Sequence, residues 1–310
     1  MARYKTDHFG IARKIVSNMT LQSWTEIPHA TIMYDADVTE LFNVVKKLNE
    51  GVTDKNEKIT INTVMMKIIC EGLKAAPKMN THLEFDRKLV RGSLHYFDHI
   101  DVSMPMILPN GEMMTVNMHD MGDKSLKEMT ATINDTVRRA RKTNLEEVMY
   151  EVSIADTLTG LSKGKVTQAL RRVYGSLTPG KHKIKKLSGS EKKEYYSIPE
   201  TERLTKHDIE QGTTTISNLG SIYREQKGFC ALLEIIPPQT TAFAVNAAQK
   251  RPTTVQDENG NDVIETRSIM PITIAIDHRA LDYGDIVPFM RKLDEIFANP
   301  ECILEWKDNK

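Results

Sequence analysis

The densest group of residues able to do acid–base chemistry is Asp277-His278-Arg279-Ala280-Leu281-Asp282. It follows Pro271-Ile272-Thr273-Ile274-Ala275-Ile276, a β-branched and apolar run that predicts a buried strand. After Gly284, residues Ile286, Phe289, Met290, Leu293 and Phe297 recur at helical spacing. A histidine held where a rigid strand stops and the chain turns into a helix is placed to take a proton from a substrate. His278 is therefore the candidate general base. Taken alone, such a residue reads first as a satisfied core histidine in a solvated charge cluster, so the rest of the sequence must decide.

Bulk properties exclude several classes. A chain of 310 residues can bury a sizeable core. Its 42 basic and 42 acidic residues cancel, which gives no global field for a nucleic acid or a membrane surface. Cys70, Cys230 and Cys302 are odd in number and far apart, which argues against disulfides and a zinc site and for a reducing compartment. No apolar run is long enough to cross a bilayer, and Met1 to Asp7 is polar and lacks a signal-peptide core. A cytoplasmic protein without metal or bound redox cofactor is expected.

The elements that must hold His278 follow from periodicity. Ile11, Ile15 and Met19 predict an amphipathic helix over 9–19, which also carries Arg13. Ala30 to Val38 predicts a strand, and Thr39 a cap for a helix running to Gly51. Residues 60–76 are apolar on nearly every side and predict a buried helix that stops at Pro77, with Met65 and Met66 as core filler. Residues 83–118 predict short strands, with turns at Asp86-Arg87 and Pro109-Asn110-Gly111. His95, His99 and His119 lie in this stretch without ligand spacing and read as ordinary histidines. A long helix follows through Leu126, Met129, Ile133 and Val137, with Arg138, Arg139 and Arg141 at its favoured end. Strands are expected at Thr213–Ser217, Phe229–Ile236, Thr240–Ala247 and Val263–Ile269, the last two joined across Asn259-Gly260.

Asp-His-Arg-x-x-Asp after a hydrophobic strand resembles the active-site motif of the dihydrolipoamide acyltransferase component of 2-oxo acid dehydrogenase complexes. Three further segments resemble that family in the same order: Gly10 to Val16 with Ile27-Pro28-His29-Ala30, Thr215 to Ser221, and Pro237-Pro238-Gln239. The resemblance implies a chloramphenicol acetyltransferase-like α/β (α+β) fold. That is a two-layer mixed sheet with flanking helices, assembled as a homotrimer with active sites between subunits. It implies one catalytic domain over 1–310, with an atypical insertion at about 144–211. Two departures stand out: Gly111-Glu112-Met113-Met114-Thr115-Val116 where the family has an apolar Gly-Leu-Val-Val-Pro-Val-like strand, and Asp282-Tyr283-Gly284 where it has Asp-Gly.

The resemblance also assigns roles. Acyl transfer needs a base for the acceptor, because a thiol of pKa about 8.5 is only a few per cent thiolate at neutral pH. It also needs a fixed donor for the developing oxyanion. His278 takes the first role. Ser217 matches the family's hydroxyl donor, followed by Asn218. Asp282 matches the carboxylate that the family pairs with an arginine near the start of the domain, here Arg13. The substrate would be a coenzyme A or lipoyl thioester. Because the sequence starts almost at the catalytic domain, a stand-alone enzyme or a core served by a separate lipoyl or acyl carrier protein is expected, as a trimer or a larger cage. The alternative is a non-catalytic trimeric scaffold of a 2-oxo acid dehydrogenase-like complex. From Leu161 to Leu187 the sequence has eight Lys or Arg and no Asp or Glu. Arg171, Arg172, Lys183 and Lys185 are there candidates for capture of an anionic donor, or form a solvated lid.

Overall fold

The computed structural model describes residues 4–6, 8–107, 113–162, 170, 174 and 187–308. In chain order it begins with helix α1 (Ile11–Glu26), strand β1 (His29–Asp37) and helices α2 (Thr39–Leu48) and α3 (Ile61–Ala75). Strands β2 (Thr81–Asp86), β3 (Arg91–Tyr96), β4 (Val102–Ile107) and β5 (Met113–Met118) precede helices α4 (Leu126–Arg141), α5 (Leu145–Ser162) and α6 (Gly189–Ser197). Strand β6 (Thr214–Asn218), the one-turn helix α7 (Leu219–Ile222), strands β7 (Thr241–Val245), β8 (Gln249–Gln256) and β9 (Asp262–Asp277), and helix α8 (Tyr283–Ala298) complete the set.

The chain divides into two compact units. The larger holds residues 22–105, 118–135 and 212–310. Its mixed sheet has the order β1-β9-β7-β6-β4, with β8 also paired to β9. The β4–β6 and β6–β7 pairs are parallel, whereas β9 is antiparallel to β1, β7 and β8. Helix α3 is buried along most of its length, and its Thr60 cap accepts from the Thr63 amide. Gly72 lets it approach α8, since a Cβ there would stand 2.6 Å from the Phe289 ring. Phe289 in turn stacks on Phe243 of β7 with ring centroids 5.3 Å apart. Met65 and Met66 are buried in this core.

The smaller unit holds residues 1–21, 106–117 and 136–211. Met114, Val116, Ala140, Leu145 and Leu204 form its buried cluster. Arg139 grips Asp208 through two bonds of 2.9 and 2.7 Å and also donates to the Arg203 carbonyl. Thus one member of the α4 arginine cluster is a part-buried tie, not only a partner of the helix dipole. The side chain of Arg203 lies over the rings of Tyr195 and Tyr196, 5.2 Å from each centroid.

Several expected elements differ. Helix α1 starts two residues later than expected and runs on to Glu26. Thr39 is the first residue of α2 and not its cap; its hydroxyl accepts from the Ser268 amide while Asp37 takes the Thr39 amide. Strand β8 was not foreseen, because Lys250, Arg251 and Pro252 hide an edge strand whose other face alternates with half-buried residues. The predicted turn at Asn259-Gly260 is present but joins β8 to β9, with Gly260 at φ +79°. The run through Pro271 is one continuous strand with the residues before it. Phe229–Ile236 is not a strand. Side chains take over its backbone groups: Asn246 binds the Cys230 amide, Thr273 the Cys230 carbonyl, and His29 and Ser23 the two groups of Ile235. The turn expected at Pro109-Asn110-Gly111 and the helical stripe of Val166, Leu170 and Val173 fall largely outside the described residues.

Candidate active site

His278 sits one residue past the end of β9, where the strand breaks into a tight turn. The amides of Ala280 and Leu281 donate to the Asp277 carbonyl at 2.9 and 3.1 Å, and the Asp277 amide donates to the Thr240 carbonyl at 2.9 Å. The Asp277 side chain is fully buried, and Arg279 answers its charge with bonds of 3.0 Å from Nε and 2.6 Å from Nη2. A buried charge needs such a partner. Sequence reasoning noted these two residues without assigning them a task; the Asp-x-Arg spacing across the strand end was the available signal. Arg279 also reaches over the Phe85 ring, 5.9 Å from its centroid.

The turn fixes the ring of His278 as well as its backbone. Its amide donates to the Pro28 carbonyl at 3.0 Å. Nδ1 lies 3.1 Å from the Leu281 carbonyl, which only accepts, so the proton of the neutral ring is on Nδ1. Nε2 is then the bare, basic nitrogen. Asp282 stands 3.4 Å from Nδ1, and the histidine side chain is 54% exposed. Asp282 precedes α8, and its amide donates to the Asp285 carboxylate at 2.9 Å. That bond, together with Lys78 at 2.8 Å, holds the Asp285 carboxyl below the ordinary carboxylate value. Tyr283, the residue that departs from the Asp-Gly pattern, is the exposed first residue of α8.

Ser217 is buried on β6, opposite Ala244 of β7. Its hydroxyl makes no hydrogen bond to another of the described residues. The support beneath it is explicit. Thr215 donates to the Gln239 side-chain oxygen at 2.7 Å, and Gln239 donates to the Gly212 carbonyl at 2.8 Å. Gln239 follows the cis Pro237–Pro238 peptide, so two of the motifs singled out in the sequence brace one strand. Asn218 caps α7: its oxygen accepts from the Ser221 amide at 3.0 Å. Gly220 permits the close packing of this turn, since a Cβ there would stand 2.9 Å from backbone atoms of Asn246 and Ala247.

Arg13 lies in the smaller unit, on the exposed side of α1. Arg171, Arg172, Lys183 and Lys185 fall outside the described residues. His119 and His99 do have carboxylate partners, Asp101 at 2.8 Å and Asp98 at 2.9 Å. Among the described residues, however, no group of three or more His, Cys, Asp or Glu is arranged to hold a metal ion. No helix among them is long and apolar enough to cross a membrane.

A residue that sequence reasoning named only as part of a motif proves central to this geometry. His29 registers opposite Asp277 across the β1–β9 ladder. Its ring bridges the Ile27 carbonyl and the Ile235 amide, at 2.9 and 3.1 Å. Burial pushes its pKa below 6.5 against the opposing pull of the Ile27 carbonyl and Asp277.

Solved structures with this fold include the cubic core of the pyruvate dehydrogenase multienzyme complex, at a TM-score of 0.65 and 17% identity over 97% of this chain and 94% of that one. The dihydrolipoamide acetyltransferase of Azotobacter vinelandii gives 0.64 and 18% over the same shares. Among curated proteins, the acetyltransferase component of the Zymomonas mobilis pyruvate dehydrogenase complex is 22% identical over 94% of this chain and 49% of its own length. Its counterpart in Rickettsia bellii is 20% identical over 94% of this chain and 52% of its own length. The chain thus spans about half the length of the curated relatives it matches. The profile of one family, the 2-oxoacid dehydrogenases acyltransferase (catalytic domain), matches residues 3–154 and 183–305 and leaves out 155–182, within the basic stretch and the helix before it. A match on both sides of that gap takes in the β1–β9 ladder, the Ser217 turn and the strand end that presents His278, and the chain belongs to the family of 2-oxoacid dehydrogenase acyltransferase catalytic domains.

Proposed function

We propose that this chain transfers an acyl group between a thioester of coenzyme A or a lipoyl group and an acceptor thiol. The observation that carries this reading is the His278 ring. Leu281 holds its Nδ1 proton, and Nε2 is left bare on a half-exposed side chain. In the proposed step Nε2 removes the proton of the acceptor thiol as its sulfur attacks the thioester carbonyl. The tetrahedral oxyanion takes a hydrogen bond from the Ser217 hydroxyl, and collapse expels the first thiolate, to which the imidazolium returns the proton. Asp282 beside Nδ1 stabilises the imidazolium while it exists.

In the Azotobacter relative, a serine, a histidine and an asparagine four residues after it were investigated for their role in catalysis. Asp282 stands at that same interval from His278. We assign Arg13 and Asn218 to support of the site, and Arg171, Arg172, Lys183 and Lys185 to capture of an anionic donor. The family background favours a homotrimer, or a larger cage built from it, served by a lipoyl or acyl carrier protein. A non-catalytic scaffold has no need of a bare, accessible base beside a carboxylate.

The test is direct. The purified chain is incubated with a panel of acyl-CoAs and free dihydrolipoamide, and products are read by mass spectrometry. Wild type is expected to turn over at least one pair, and His278→Ala to lose nearly all of that activity while eluting at the wild-type size. Equal turnover by the variant would remove His278 from the role of base.

A further inference from the structure

His29 is clamped on both ring nitrogens. Nδ1 lies 2.9 Å from the Ile27 carbonyl, which can only accept, so it carries the ring proton. Nε2 is then bare and accepts the Ile235 amide at 3.1 Å. The Ser23 hydroxyl lies 3.2 Å from Nε2 but gives its own proton to the Ile235 carbonyl at 2.6 Å. Trp24 stacks on the ring, with centroids 5.0 Å apart. Only the neutral ring fits this arrangement: a proton on Nε2 would point at the Ile235 N–H and remove its acceptor. The backbone held by this clamp is the one that holds His278. Pro28, between Ile27 and His29 itself, accepts the His278 amide at 3.0 Å. Ile235 belongs to the segment that lacks strand pairing and depends on side chains for its backbone bonds.

We propose that His29 is a positioning residue for His278: its neutral ring fastens the Ile27–His29 backbone to Ile235, and its protonation loosens the carbonyl on which His278 hangs. Proton uptake at His29 in acid then costs transfer. This rests on the acyl-transfer reading of His278. The charged groups facing His29 are Asp277, Glu234 and Arg279. Asp277 is largely neutralised by its 2.6 Å bond to Arg279. Burial is the largest influence on the ring and keeps it neutral at pH 7.

The experiment uses the whole chain with the His29→Ala and His29→Gln variants. A glutamine oxygen reaches the place of Nε2 and accepts the Ile235 amide without titrating. His29→Ala is expected to lower kcat about tenfold with KM within about twofold, as for a misplaced rather than a missing group. His29→Gln should stay within about threefold of wild type at pH 7.5. In acid, log(kcat/KM) of wild type should fall more steeply with pH than that of His29→Gln. A second readout needs no turnover: amide exchange of the segment around His278, read by mass spectrometry, should be about tenfold faster in His29→Ala than in His29→Gln. Equal slopes in wild type and His29→Gln overturn the proposal, as does equal exchange in all three proteins. If wild type transfers no acyl group, the functional reading fails by itself, and the exchange measurement still decides the positioning role. If His29→Ala does not fold, the slopes of wild type and His29→Gln decide it.

Discussion

Adding a single methyl group to Gly220 probes how rigidly Ser217 must be held. Gly220 stands three residues beyond Ser217, where the chain leaves β6 and passes over the end of β7. An alanine Cβ there would sit 2.9 Å from the Ala247 Cα, 2.9 Å from the Asn246 carbonyl oxygen and 3.0 Å from the Ala247 nitrogen. These are backbone atoms of a buried strand end, so they cannot swing aside as a side chain would. Relief requires a backbone shift of about 0.5 Å, an overpacking cost of about 1–3 kcal/mol. Loss of glycine's freedom in the unfolded chain returns about 0.4–1 kcal/mol, so the net loss is about 1–2 kcal/mol. That corresponds to a fall in Tm of about 2–8 °C. If the shift passes to the Ser217 hydroxyl, half an ångström costs about tenfold in kcat, given about a hundredfold for one ångström. The control is Gly284→Ala on the first turn of α8, where an added Cβ meets nothing within 4 Å. The assays are thermal unfolding at one protein concentration and steady-state transfer. Gly220→Ala matching Gly284→Ala in both would refute the argument that backbone contact at this turn positions the serine.

Other outcomes follow from the same geometry. Ser217→Ala should lower kcat by about 10²–10³ with little change in KM, the usual loss for one oxyanion donor; a loss below tenfold would assign the oxyanion to another group. Arg139→Met leaves Asp208 buried without its partner and should destabilise the smaller unit by about 3 kcal/mol, seen as faster amide exchange over 200–211; unchanged exchange would contradict it. Thermal stability should fall as pH drops from 7. Burial lowers His29 and His82 below 6.5, so their contribution is complete above that value and is lost as pH falls through the lower folded values. Asp101 and Asp208 add a second loss below pH 3.8: burial alone would raise them, but bonds from His119 to Asp101 and from Thr205 and Arg139 to Asp208 outweigh it. A Tm that stays flat from pH 7 to 5 would remove the histidine contribution. Changing Arg171, Arg172, Lys183 and Lys185 together to Gln should raise KM for an acyl-CoA mainly at low salt, because such charges are screened within about 8–10 Å at physiological ionic strength. Identical salt slopes would mark that stretch as a solvated loop.

What could be read from the sequence was what repeats or what stands at an abrupt boundary. The buried α3, the strand before His278 and the helix after it each announce themselves by period and by a sharp change of residue type. The Ser217 turn could be located only through family likeness, since Ile-Ser-Asn-Leu-Gly alone reads as any capped turn. Phe229–Ile236 misled because its apolar residues resemble a strand, whereas its backbone is satisfied by Asn246, Thr273, Ser23 and His29. Those partners are distant in sequence, up to 212 residues for Ser23 and Ile235, and no local pattern encodes them. The work of His29 is hidden for the same reason. Strand β8 was concealed by its charge, which is what an edge strand uses to stay unpaired.

The central place of β9 has a consequence for how the chain is made. Strand β1 leaves the ribosome early, yet its register partner for Asp37 is Ile269, more than 200 residues later. At about 5–20 residues per second, the nascent chain carries β1 without its partner for on the order of ten seconds or more. Strand β7, made only shortly before β9, lacks the same neighbour just at the end of that interval. Both strands depend on the same late arrival, and for β1 the pairing is non-local. Synthesis that stalls before β9 would therefore leave apolar strand edges that pair readily with other chains, and abundance in the cell would depend on translation speed and chaperone supply before any loss of folded stability was visible.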